Sequence, residues 1–209
     1  MAASRTMRCM TASPKEQPEV LPAPGAEQYP ALDLVNSVVT LPGGQSLDLL
    51  DTPSETERWL TAHGLAPKSA ELQEGDVERL RALRAHIRSV IVSKVHGRPT
   101  SEADLEAVNE ALTRTPAAPL LRWDPVLGLH RTAVRPDAEF LDQALARLAA
   151  DAADLLTGPD AERLTACGST PCSRYLLRHG RRHWCSTRCG DRARAARAYA
   201  RRTRSVTVQ

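Results

Sequence analysis

Residues 167–194 read CGSTPCSRYLLRHGRRHWCSTRCGDRAR and hold four of the chain's five cysteines among a crowd of arginines. Four residues separate Cys167 from Cys172, three separate Cys185 from Cys189, and twelve lie between the pairs. A tetrahedral zinc ion takes four soft ligands from two short knuckles, and two cysteine pairs flanking a loop meet that need. His179 and His183 lie between the pairs, so a Cys3His set stays open; four cysteines are preferred because both pairs are complete without a histidine. The competing readings are unligated thiols or redox disulfides. The segment has few apolar groups of its own, Tyr175, Leu176, Leu177 and Trp184, so it needs a staple to fold. Chelation is therefore expected to melt this module and spare the rest.

Directly after Cys189 comes Gly190, where the backbone is expected to pass close to the metal and turn into a helix. The run DRARAARAYARR that follows is made of strong helix formers. Within it Arg194, Arg197, Arg201 and Arg204 recur at spacings of three and four, one basic stripe, while Ala193, Ala196 and Ala200 mark a small apolar face. Guanidinium forks match phosphates, and paired to guanine they make the commonest base contact, so a groove-binding helix is expected. A solvated helix that caps the module is the plainer alternative.

The charge pattern agrees. From Cys167 onward there are 11 arginines, no lysine and one acidic residue, Asp191, against 17 basic and 24 acidic residues before it. The ends thus carry +10 and −7 within a chain whose net charge is only +3. An acidic body with a basic end suits a polyanion binder, because phosphate neutralisation needs clustered charge. A length of 209 residues allows one good core with a small module attached. No apolar run is long enough to cross a membrane, and no apolar stretch follows Arg5 and Arg8 as a secretory signal requires, so a cytoplasmic protein is expected. In that reducing compartment clustered cysteines point to metal or redox chemistry.

Upstream, residues 1–28 include Pro14, Pro18, Pro22 and Pro24 and few large apolar groups, the composition of a disordered tail. Met1, Met7 and Met10 are each candidate starts, and Cys9 reads as an unpaired thiol there. ALDLVNSVV is an apolar run compatible with strand or helix, followed by a turn at Pro42-Gly43-Gly44. Thr52 caps a short helix over about 53–63, stopped by Gly64. In DVERLRALRAHIRSVIVSKVHG, Val77, Leu80, Leu83, Ile87, Val90 and Ile91 recur at helical spacing, with Arg79, Arg81, Arg84 and Arg88 on other faces. This is the expected central core helix, ended by Gly97 and Pro99, with His86 and His96 as surface or cap residues. Thr100, Ser101 and Asp104 open a further helix through about Thr113, carrying Leu105, Val108 and Leu112 on one face. LLRWDPVLGLHRTAVRP fits a small hairpin. Asp137 is expected to start the last body helix, which runs to Gly158-Pro159. The resulting class is α+β: a mainly helical body over 29–160 with a minor hairpin or sheet element, a zinc-stapled module over 163–204 ending in a basic helix, and a tail over 205–209.

WCSTRCGDR followed by ARAARAYARR resembles the CGNR zinc finger, with Asp191 in place of the asparagine of that name. ALDLVN and DLLDTPSETERWLTAHGL resemble the ABATE domain that precedes such fingers, and the likeness spans roughly residues 29–204. The resemblance implies Cys167, Cys172, Cys185 and Cys189 as zinc ligands and a role among stress-induced transcription regulators. Asp191 brings negative charge to the expected helix N-terminus, which favours the helix and repels a phosphate bound there.

No Gly-rich phosphate loop, nucleophile elbow, His-Glu-x-x-His or paired-carboxylate pattern is found, so no enzyme is expected. A catalytic rival around Asp33, Asn36, Asp48 and Asp51 is outweighed by their simpler use as caps. The reading is a Zn2+-dependent DNA-binding regulator with a sensing or dimerisation body. Arg181, Arg182, Arg192, Arg194, Arg197 and Arg201 are the main contacts, with Arg188 and Arg204 assisting. A single finger offers little area, which calls for a homodimer or a second DNA-binding partner. The rivals are an RNA or protein adaptor, against which the scarcity of aromatics weighs for single strands, and a thiol redox sensor.

Overall fold

The structure is a computed structural model, and it describes residues 20–41, 44–115, 120–132 and 140–206. The expected start at Asp137, the turn at Pro42-Gly43 and residue Cys9 lie outside these segments. So does the side chain of Arg204.

The ambiguous run ALDLVNSVV is both things in turn. Pro30 opens a short helix, α1 (Pro30–Val35), and the chain then extends into β1 (Val38–Thr40), paired antiparallel with β2 (Ser46–Asp48). Thr52 closes a capping box with Glu55 at the start of α2 (Pro53–Ala62). The long helix α3 (Glu74–Val95) buries Val77, Leu80, Leu83, Ile87, Val90 and Ile91 as the spacing requires. It packs against α1, α2, α4 (Glu102–Arg114) and α5 (Phe140–Thr157). Leu32, Leu34, Leu50, Leu60, Leu141 and Leu148 complete a core built almost wholly of aliphatic groups, as a chain with 3% aromatic residues must. His86 Nδ1 donates to the Asp104 carboxylate at 2.8 Å, and His96 is the C-cap of α3.

The arginines of α3 are not solvated. Arg84 is only 8% exposed and grips Asp48 with both nitrogens, at 2.6 and 2.5 Å, while also donating to Ser37. Arg81 holds the Leu50 carbonyl and Asp51, and Arg79 pairs with Asp142. Asp48 accordingly stays below the ordinary carboxylate range: burial, the largest single influence, pushes it up, but the Arg84 hydrogen bonds, the Leu50 N–H and the charges of Arg84 and Arg81 together outweigh it. These pairs lock β2 and α5 to the central helix.

Between α4 and α5 stands the expected hairpin, β3 (Leu120–Asp124) and β4 (Gly128–Thr132), with Trp123 opposite Leu129. Leu121, Trp123 and Leu129 share one face, and with Val126 and Leu127 at the tip they are 66% to 91% exposed. A 3-10 turn over Ala161–Arg163 then leads into β5 (Leu164–Ala166), which pairs antiparallel with β6 (Tyr175–Leu177). The final helix, α6, runs from Thr187 to Val206.

Two expectations change. Residues 20–28, assigned by composition to a disordered tail, form turns in which Ala23 and Ala26 are buried and the Pro24 carbonyl accepts from Leu177 N–H. Gly25, at φ +96°, lies so close to Leu177 that a Cβ there would meet its side chain at 2.6 Å. The finger also shares a wall with the body. β6 alternates: Tyr175 and Leu177 enter the main core, while Leu176 faces the cysteines. Apolar groups too few to fold alone are sufficient as one wall of a shared core.

Candidate metal centre and arginine helix

Two knuckles bring the cysteines together. Cys167 N–H donates to the Arg174 carbonyl and Cys172 N–H to the Ser169 carbonyl, folding the first; Gly168 N–H donates to the His183 carbonyl and binds it to the second. Ser186 is the N-cap of α6, its hydroxyl accepting from Cys189 N–H at 3.2 Å. The four sulfurs of Cys167, Cys172, Cys185 and Cys189 lie within 4.8 Å of one another. Sγ of Cys185 is 3.7 Å from that of Cys172 and 3.6 Å from that of Cys189. A tetrahedron with Zn–S bonds of about 2.3 Å has sulfur edges of about 3.8 Å. The cluster therefore fits zinc, and the separations are far beyond the roughly 2 Å of a disulfide.

Electrostatics favour a dication in the same place. Hydrogen bonds from Cys172 and Cys185 lower the Cys167 thiol to about 2. That ionised sulfur in turn raises Cys172 to about 11 and pushes Cys185 up. The thiols cannot all ionise at neutral pH unless a metal replaces their protons, so metal uptake expels protons. Cys185 N–H and the Arg192 guanidinium each donate to a sulfur, at 3.4 and 3.3 Å, and temper the charge of a four-thiolate centre. Neither histidine joins it. His179 Nδ1 meets the Arg163 guanidinium, and the exposed His183 stands edge-on to Trp184.

Gly190 serves a purpose other than the one its position suggested. It lies inside α6, not before it, and a Cβ there would meet the Trp184 ring at 3.4 Å and the Arg194 guanidinium at 3.3 Å. Its bareness lets the indole lie against the helix. Arg194 and Arg197 then cover that indole, at 5.9 and 5.5 Å from the ring centre. Asp191 sits a turn inside the helix instead of at its N-terminus and pairs with Arg194. Of the other arginines singled out, Arg192 is half-buried and spends its nitrogens on Ser169 and Cys189. Arg182 reaches the Trp184 carbonyl, and Arg181, Arg188 and Arg201 are exposed.

The four polar residues of the catalytic rival all make structural contacts. Asp33 accepts from the Trp59 indole and pairs with His63, and Asp48 and Asp51 serve the α3 arginines. Asn36 was missed by sequence reasoning as a joint: its amide donates to the Tyr175 carbonyl at 2.9 Å and accepts from Tyr175 N–H at 2.8 Å. Arg88 adds bonds to the Val35 and Ser173 carbonyls and stacks over Tyr175. These contacts weld the body to β6.

A family model described as ABATE, "Putative stress-induced transcription regulator", matches residues 28–159. The chain belongs to the ABATE family. The model of the CGNR zinc finger matches residues 163–202, the stretch that carries all four clustered cysteines. No curated protein matches the chain. This ABATE protein thus joins its family domain to a zinc finger with a four-cysteine centre. Among the described residues no helix is long and apolar enough to cross a membrane.

Proposed function

We propose that this protein is a non-catalytic transcription regulator that binds duplex DNA through the arginine face of α6. The observation that carries the reading is the state of that helix. From Arg194 to Thr203 every residue is exposed or half-exposed. At about 1.5 Å per residue its 20 residues span some 30 Å. An alanine- and arginine-rich rod held at one end by a metal and left bare along the rest suits a major groove. Trp184 fixes Arg194 and Arg197 in place before DNA arrives, which lowers the entropy cost of contact. Arg181, Arg182, Arg188 and Arg201 supply further charge around that face, and Arg192 contributes by holding the knuckle.

A single helix buries little surface, so the reading includes a second copy. The hairpin offers that copy a surface, because two strands alone are marginal in water and Leu121, Trp123 and Leu129 leave one of its faces apolar and exposed. One experiment tests both parts: fluorescence anisotropy and stoichiometry on a labelled duplex. Arg194→Ala/Arg197→Ala/Arg201→Ala is expected to keep its zinc and weaken binding at least about tenfold, in line with lost charge-assisted contacts. Trp123→Lys is expected to reduce two chains per duplex to one. Undiminished affinity in the triple variant would refute the DNA reading, and zinc without DNA affinity would favour a protein adaptor.

A further inference from the structure

A cavity of about 560 Å3 opens among the C-terminal end of α3, α4 and the C-terminal end of α5, on the acidic body and away from the cysteines. Its size falls within the few hundred to a thousand Å3 of small-molecule sites. The floor is apolar: Val90 and Val108 are buried, and Leu105, Leu112 and Leu156 line the walls. Leu105 is 44% exposed, facing a pocket that no described residue fills.

Polar groups gather at one end. Gly97, at φ +61°, reverses the chain after α3, so that Arg98 N–H bonds back to the Ser93 carbonyl and the Arg98 side chain stands at the rim. The side chains of Ser93, Arg98, Thr100 and Asn109 make no hydrogen bond to any described residue. Lys94 also lines the rim, but its ammonium is matched by Glu162 at 2.8 Å. No acidic side chain lines the cavity. Among the described residues the site therefore presents one unmatched cation, three uncharged hydrogen-bonding groups and an apolar floor.

We propose that this cavity binds a small organic monocarboxylate with an apolar body, its carboxylate held by Arg98. A cationic ligand would meet no counter-charge, a polyol would leave the floor wet, and a nucleotide would bring more negative charge than one guanidinium offsets. The rim is tied to the finger, because Glu162 belongs to the 3-10 turn that leads into β5. The inference gives a ligand class to the sensing body of the proposed regulator, and it is tested without DNA, so that either reading can fail alone.

The test is isothermal titration of the zinc-loaded full chain with octanoate and, as a neutral match, 1-octanol. Octanoate is expected to bind once per chain, about tenfold or more weaker in Arg98→Gln, and not at all in Ala153→Phe, which fills the half-buried α5 wall of the cavity. Octanol is expected to bind wild type and Arg98→Gln alike. Thermal melts of both variants check the fold; should Ala153→Phe unfold, the octanoate and octanol pair in Arg98→Gln decides. Absence of saturable octanoate binding, or equal octanoate affinity in wild type and Arg98→Gln, would overturn the proposal.

Discussion

His63 is a cation by geometry. Its Nδ1 faces the Trp59 carbonyl at 2.9 Å and its Nε2 faces the Asp33 carboxylate at 3.3 Å, both of which only accept. Burial, the largest single influence, disfavours its charge, but the hydrogen bonds to Asp33 and the Trp59 carbonyl and the charges of Asp33 and Asp151 together outweigh it and raise the pKa above the ordinary 6.5. Asp33 shifts the other way: burial is outweighed by hydrogen bonds from His63 and Trp59, which lower it below 3.8. The histidine's contribution to stability is then full below pH 6.5 and lost as pH rises through its higher folded value. That of the aspartate is full above 3.8 and lost as pH falls through its lower folded value. Together they tie α1 to α2 best between these limits. His63→Ala is expected to lower the Tm by several degrees near pH 5.5, since a hydrogen bond to a charged group contributes about 1.5–3 kcal/mol. The gap to wild type should narrow at pH 9. A gap that widened with pH, followed by calorimetry, would contradict the assignment.

At the scale of elements, the decisive piece is the three-residue strand β6. One face supplies Leu176 to the metal cluster and the other supplies Tyr175 and Leu177 to the body, where Asn36 and Arg88 hold its backbone. Removing zinc should therefore loosen more than the finger. Hydrogen exchange after chelation is expected to rise in α1 and in the C-terminal half of α3 together with β5 and β6; unchanged protection in α1 would show the finger to be independent after all. The helices α3 and α4 were legible because their leucines and valines repeat at helical spacing over ten or more residues, and α2 because Thr52 caps it and Gly64 follows its end. The cysteine centre was legible because ligand spacing is local. β6 was not, since three residues carry no readable period, and neither was burial of Arg84, whose partners Ser37 and Asp48 lie 47 and 36 residues away. Gly190 misled because a close approach to Trp184 leaves no mark distinct from a turn.

Over the whole molecule, charge and packing divide the work. An acidic helical body with a cavity beside Arg98 stands against a basic helix that is exposed or half-exposed from Arg194 to Thr203, and the four-cysteine centre lies where the two are joined. The arrangement asks the metal to be structural for the body and positioning for the arginines. In the proposed reading, DNA affinity depends on clustered charge more than on apolar contact. The most direct test is the affinity of the zinc-loaded chain for a duplex as salt is varied, repeated after chelation. Because each phosphate neutralised contributes about −0.9 to the slope of log K against log salt, four or five arginine contacts predict a slope of roughly −4, and chelation should abolish binding. A flat salt dependence, or full affinity after the zinc is removed, would contradict the account.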